Sequence, residues 1–354
     1  MKNCLYLLVC LAVVQLSCSK DKPSEPTEVD VSTLPQDRGT KIVTFVSGYA
    51  PHTYGLIWSK NTNELIWADG KVLKALNLQS YSTRVIDDSA YMSIPTWSRQ
   101  VRLSDDGTEL YYVQATAEGR SLFCVSLDGE NRQLLLDKVT EFCLSPTNRH
   151  IAYKTDGDSI LIYCRDDSSK IFVSTGYPKT YSPDGKKLLY RSETGCFIFT
   201  LESQISELLP LDIDHNRISN FYWGENGICI IYLEEAAWHK GKGIIRNISI
   251  NDTLFTWDPW VSEYLVNFPC RFTWNSEGNK VACWRVEELE VALWPGEQGY
   301  YQHNLQLIDI ASKTNTRIAY GHCEEDDPGA IAFSPDNSKI AYILDWAMYM
   351  RDLP

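Results

Sequence analysis

The chain has 354 residues, 44% of them hydrophobic and 12% aromatic, which is enough apolar material for a large core and excludes a disordered protein. Its formal net charge is −13 and its loops are acidic. Nucleic acid and a polybasic membrane-surface contact are therefore excluded as partners, since both need clusters of Lys and Arg.

In chain order, Lys2 and the run LYLLVCLAVV are followed by Ser17 and Cys18. The apolar run is too short to span a bilayer, so residues 1–17 are expected to be a signal peptide. A cysteine at that junction resembles a bacterial lipoprotein box. The resemblance implies lipidation of Cys18, a membrane anchor, and a place in the cell envelope as an outer-membrane lipoprotein, periplasmic or surface-exposed. Gln15 stands where that box usually has Leu, and ordinary secretion with a free Cys18 is the alternative. Residues 18–40 are rich in Pro, Ser, Thr and charge and are expected to be a flexible tether, leaving 41–354 as the folded domain.

Beyond residue 40 one phrase recurs. Its clearest copy is YSPDGKKLLYRS, residues 181–192, where Pro183 presets a turn, Gly185 takes the left-handed position and an apolar strand follows. Looser copies put turn residues at Ser59, Ser104, Ser145, Gly224, Asn275 and Ser334, so successive copies are 37 to 59 residues apart. That period predicts four-stranded propeller blades. The expected strands of the first blade lie near 54–58, 64–68, 71–78 and 83–87, and those of the second near 97–103, 109–114, 120–127 and 132–137. The following blades occupy about 139–174, 177–210, 218–258 and 270–320. The last runs out of chain before its fourth strand, and KIVTFV, residues 41–46, is expected to supply it. The reading is an all-β chain of seven blades closed by an N-terminal strand, with a six-bladed disc as the alternative.

The phrase resembles the SPDG-type repeat of TolB-like propellers and of the propeller domain in dipeptidyl-peptidase IV-like proteins. The resemblance implies fold rather than activity, because such blades serve unrelated roles. No acidic peptide-positioning motif of the latter family matches closely enough in residues 274–291 to be carried over.

Function must then be sought in the connections. The SPDG-type turns and the turns between third and fourth strands are short and share one face. The long connections at 88–96, 234–242, 259–269, 287–301 and 321–329 belong to the other. They are aromatic and acidic, and the candidate ligand-binding residues are Trp238, His239, Trp257, Trp260, Glu287, Glu288, Trp294, Tyr300 and Tyr301. Such aromatics suit a glycan face or a peptide side chain, and they equally suit packing of loops onto the disc. Glu324–Asp327 is acidic enough for calcium or a peptide amine, or simply solvated. DIDHN from Asp212 starts like a calcium loop but has Arg217 where Gly is needed. No Gly-x-Ser-x-Gly, His-Glu-x-x-His, Cys-x-x-Cys or phosphate-loop motif occurs, so no metal or cofactor is expected. The primary reading is a binding module for a glycan, peptide or envelope protein. A hydrolase or lyase acting on polysaccharide or peptide, and a structural docking protein, are the alternatives. The eight cysteines from Cys124 to Cys323 sit mostly in apolar strand runs and are expected to be free, buried thiols.

Overall fold

The computed structural model describes residues 36–45, 55–69, 72–89, 101–117, 119–237, 240–257, 272–288, 301–323, 329–344 and 347–354. Twenty-eight strands form seven four-stranded antiparallel sheets, each a blade. Blade 1 contains β2 (Leu56–Trp58), β3 (Glu64–Asp69), β4 (Val72–Asn77) and β5 (Thr83–Asp87). Blade 2 contains β6 (Val101–Leu103), β7 (Glu109–Thr116), β8 (Gly119–Ser126) and β9 (Gln133–Asp137). Blade 3 follows with β10 (Val139–Leu144), β11 (His150–Thr155), β12 (Ser159–Cys164) and β13 (Lys170–Thr175), and blade 4 with β14 (Tyr177–Tyr181), β15 (Lys187–Ser192), β16 (Gly195–Thr200) and β17 (Ile205–Leu208). Blade 5 has β18 (Ile218–Gly224), β19 (Gly227–Ala237), β20 (Lys240–Asn247) and β21 (Asp252–Trp257). Blade 6 has β22 (Phe272–Trp274), β23 (Lys280–Glu288), β24 (Tyr301–Asp309) and β25 (Thr314–Cys323). Blade 7 has β26 (Ile331–Phe333), β27 (Lys339–Leu344) and β28 (Ala347–Asp352), and its fourth strand is β1 (Thr40–Thr44).

The closing strand is thus the N-terminal segment expected from sequence, and the six-bladed alternative is excluded. β1 pairs antiparallel with β28, Thr40 opposite Met350 and Thr44 opposite Ala347. Phe45 continues into the core between blades 7 and 1, 6% exposed and edge-on to Trp67 at 6.2 Å. Residues just before β1 are also docked: Asp37 bridges to Tyr320 of blade 6 and ion-pairs with Arg351 at 2.8 Å, and the carbonyl of Arg38 accepts from Tyr342. One segment therefore ties blade 6 to blade 7 and blade 7 to blade 1, leaving neither end of the ring as an open edge.

The recurring turn explains itself chemically. Ser182 donates to Asp184 at 2.6 Å and accepts the backbone N–H of Lys187 at 3.0 Å, while Gly185 at φ +69° closes onto its carbonyl. Ser104 and Ser334 repeat this, and Asn275 substitutes its amide oxygen for the hydroxyl. The left-handed position is Gly107, Asn148, Gly185, Gly278 and Asn337 in five copies, residue types that tolerate positive φ. Blade 1, whose phrase is the loosest, moves that position one residue on, to Asn63.

The apolar strands bury their side chains between neighbouring blades, with Tyr111, Tyr112, Tyr153 and Tyr342 fully enclosed. Ion pairs fasten the gaps. Arg132 reaches from blade 2 to Asp87 of blade 1 at 2.9 Å, and Arg165 from blade 3 to Glu109 of blade 2 at 2.8 Å. Six cysteines, 124, 143, 164, 196, 229 and 283, are free, all but Cys164 buried, as the apolar setting suggested; Cys270 and Cys323 lie outside what is described of side chains.

A candidate ligand site in the central channel

The first strand of each blade faces the axis of the ring, and between these strands a cavity of about 1770 Å³ opens, lined by residues of blades 1 to 6. At one end it meets the short SPDG-type turns, at Asp105, Pro146, Pro183 and Glu277. At the other it meets Asp158, Tyr177 and Arg191, on the face to which the long connections belong.

A repeated backbone irregularity shapes its wall. The ladders of the inner strands in blades 3, 4 and 5 slip at Thr140, Lys179 and Ser219, each the unpaired residue of a bulge and each lining the cavity. A bulge adds one residue to a strand and re-aims its side chain. Thr140 spends its hydroxyl on the Lys154 carbonyl at 3.3 Å. Ser219 is left with no partner for its hydroxyl, and so is Tyr181, which lines the same cavity at 4% exposure.

The remaining bulge residue, Lys179, joins a group of cations around one ring. Lys154 lies 3.7 Å from the centroid of Tyr177, Lys179 5.1 Å and Arg191 5.7 Å. Tyr177 and Arg191 are cross-strand partners in β14 and β15. Gly176, at φ +131°, lets the chain turn into β14 where any Cβ would collide with the Arg191 carbonyl. The carboxylates nearby only partly neutralise the group. Asp158 takes Lys154 at 2.6 Å, and Glu141 stands 3.9 Å from Lys179. Burial outweighs the opposing pull of Glu141 and, with a smaller push from Arg191, holds the Lys179 ammonium below its ordinary pKa. Burial also opposes the charge of Lys154, but Asp158 and the Tyr177 ring outweigh it and hold that pKa up.

Of the residues singled out from sequence, only Trp257 has a described side chain. Trp238, His239, Trp260, Trp294 and Tyr300 lie outside the described residues, as do the side chains of Glu287, Glu288 and Tyr301. Trp257 ends β21 and is 7% exposed, packed edge-on to Phe272 at 6.2 Å in the core between blades 5 and 6. The connections expected at 234–242, 287–301 and 321–329 prove in part to be strand. β19 and β20 stay paired out to Ala237 opposite Lys240, β23 carries Glu287 and Glu288 opposite Gln302 and Tyr301, and β25 runs to Cys323. Continuous backbone pairing wins over loop composition there, since each added residue satisfies two polar groups. Among the described residues no three His, Cys, Asp or Glu side chains converge as metal ligands.

No protein-family model matches the chain, and no curated protein matches it in sequence. Solved structures share its architecture. The oligogalacturonate lyase of Vibrio parahaemolyticus superposes with a TM-score of 0.61 at 10% identity, covering 89% of this chain and 93% of its own. A chain of a mitotic checkpoint complex superposes at 0.60 with 14% identity, covering 95% and 97%. The Cps50 propeller domain from Myceliophteria thermophila does so at 0.57 with 12% identity, covering 90% and 100%. Likeness at these identities establishes the fold: this is a seven-bladed β-propeller.

Proposed function

We propose that the protein is a binding module of the bacterial cell envelope, held at the membrane by a lipid on Cys18, that takes a glycan or peptide ligand into its central channel from the long-connection face. The observation that carries the reading is a cavity of about 1770 Å³ whose wall combines an exposed tyrosine with a group of cations around its ring. Convergent polar groups in a large pre-formed concavity are the usual mark of a ligand site. The aromatics that the sequence assigns to the long connections, Trp238, Trp260, Trp294 and Tyr300, would extend the contact outward, with Glu287, Glu288 and Tyr301 from the ends of β23 and β24. The propeller neighbours include a chain from a protein complex, which supports a protein partner in general.

The test is a screen of the purified protein against glycan and peptide arrays beside Ser219→Trp, which adds bulk at a bulge lining the channel and is compared only once its melting temperature shows it folded. Binding by the wild type that is lost in the variant is the expected result. A bound ligand that the variant still takes places the site elsewhere, and turnover of the ligand moves the protein to the enzyme class. Metabolic labelling with palmitate, abolished by Cys18→Ala, tests the anchor.

A further inference from the structure

The chain carries a formal net charge of −13, and the cavity wall has as many cationic as carboxylate side chains, yet three of its cations, Lys154, Lys179 and Arg191, gather around one ring, Tyr177. Around Tyr177, Lys154 is already paired with Asp158, so it holds the ring rather than offering a vacant charge. Arg191 has no carboxylate partner among the described residues, and its guanidinium lies 5.7 Å from the centroid of the Tyr177 ring. Lys179 sees Glu141 only at 3.9 Å, beyond hydrogen-bond reach, although its side chain is just 23% exposed. Lys179 and Arg191 stand 5.1 and 5.7 Å from the same ring, and Arg191 adds to the cost of the Lys179 charge. Asp156 also lines the cavity but is exposed.

The backbone has been shaped to keep them there. Lys179 is the unpaired residue of a bulge, and Arg191 is fixed opposite Tyr177 by strand pairing behind a glycine that no other residue can replace without collision. Nearby on the same wall, Tyr181 at 4% exposure and Ser219 have hydroxyls with no protein partner. A lone cationic side chain on a surface is ordinary. Two cations at a cavity wall with a single carboxylate, Glu141, at 3.9 Å from one of them are costly unless something occupies the space.

We infer that Lys179 and Arg191 form an oxyanion site, and that the ligand of the channel is a small molecule or oligosaccharide carrying a carboxylate or sulfate group. This rests on the channel being the ligand site. Arg191 supplies two parallel N–H donors for the oxyanion and Lys179 a point charge, with the Tyr177 ring between them as a face for the rest of the ligand.

The probes are inorganic sulfate, a hexuronate oligosaccharide, a sulfated hexose oligosaccharide and a neutral hexose oligosaccharide of equal length, titrated by calorimetry into the purified protein. The expected result is binding of at least one anionic probe, weakened by salt, with the neutral oligosaccharide bound at least about tenfold less tightly. Lys179→Met and Arg191→Met should each weaken the anionic probe by about thirtyfold or more while leaving the melting temperature within a few degrees. Glu141→Gln, which removes the competing carboxylate and keeps its shape, should tighten it. Which anionic oligosaccharide prevails separates carboxylate from sulfate ester, and binding of inorganic sulfate alone would reduce the site to one for free anions. Neutral and anionic oligosaccharides binding alike, no anionic probe binding, or anion binding indifferent to both substitutions would overturn the inference. A neutral ligand lost in Ser219→Trp but unaffected by Lys179→Met would overturn it while leaving the channel itself as the binding site.

Discussion

Replacing Phe45 with alanine tests whether the ring is closed by its N-terminal segment. Phe45 follows directly on β1, is 6% exposed and packs edge-on to Trp67 in the core cluster shared by blades 7 and 1. Around it sit Trp58, Leu65, Ile343 and Met348, all buried, so the space it leaves cannot refill from solvent-facing side chains. A buried Phe→Ala substitution costs about 3–5 kcal/mol. At roughly 2 °C per kcal/mol for a domain of this size, the melting temperature should fall by about 6–10 °C. Phe172→Ala is the control, because Phe172 is 62% exposed on the outer strand of blade 3 and its removal should shift melting by about 1 °C or less. The assay is differential scanning calorimetry of both variants beside the wild type, with light scattering to detect association through an opened edge of blade 7. Equal melting temperatures for Phe45→Ala and the wild type would refute closure by this segment.

Three further outcomes follow from the same contacts. Glu64 is held below its ordinary pKa of 4.5 chiefly by Arg84, while Asp87 and Glu109 are lowered because hydrogen bonds from Tyr112, Ser89 and Arg132, and from Arg165 and Tyr111, outweigh burial. Carboxyls with depressed folded pKa values contribute stability above the unfolded values of 4.5 for Glu and 3.8 for Asp, and that stability drains as pH falls through the folded values. Melting temperature should therefore hold down to about pH 5 and drop below it; an acid limb left unchanged by Arg165→Met would contradict the assignment. Burial pushes the Cys143 and Cys283 thiols up to about 12, so neither should react with a disulfide reagent at pH 8 until the protein unfolds, as mass spectrometry of the labelled peptides would show. Gly176→Ala should cost about 1–2 kcal/mol for its positive φ alone, with more from the collision at the Arg191 carbonyl, and should weaken channel binding; wild-type stability and binding together would show that the glycine does not set the Tyr177 position.

Blade number and closure were legible because the turn phrase makes local demands that only a few residues meet. A buried hydroxyl or amide must hold the turn, at Ser59, Ser104, Ser145, Ser182, Asn275 and Ser334, and Gly or Asn must follow at positive φ. KIVTFV was recognisable as the missing strand because it was apolar and had no partner in its own blade. The channel site was not legible in the same way. Lys179 sits in YPKTY, which reads as the plain lead-in to a turn, and only the bulge sends it to the axis. Tyr177, Arg191 and Lys154 come from different strands and meet through cross-strand and inter-blade packing. The aromatic composition of the long connections drew attention outward, yet Trp257, one of those residues, lies in the core.

The most direct test of the channel as the ligand site is hydroxyl-radical footprinting of the purified protein with and without the oligosaccharide or peptide that binds it best. Tyr177 is 37% exposed at the channel mouth, and Phe172 is 62% exposed on the outer rim, which gives a reactive ring at each place. Occupation of the channel predicts that ligand protects Tyr177 and leaves Phe172 as reactive as before. Protection of Phe172 with Tyr177 unchanged would contradict the account.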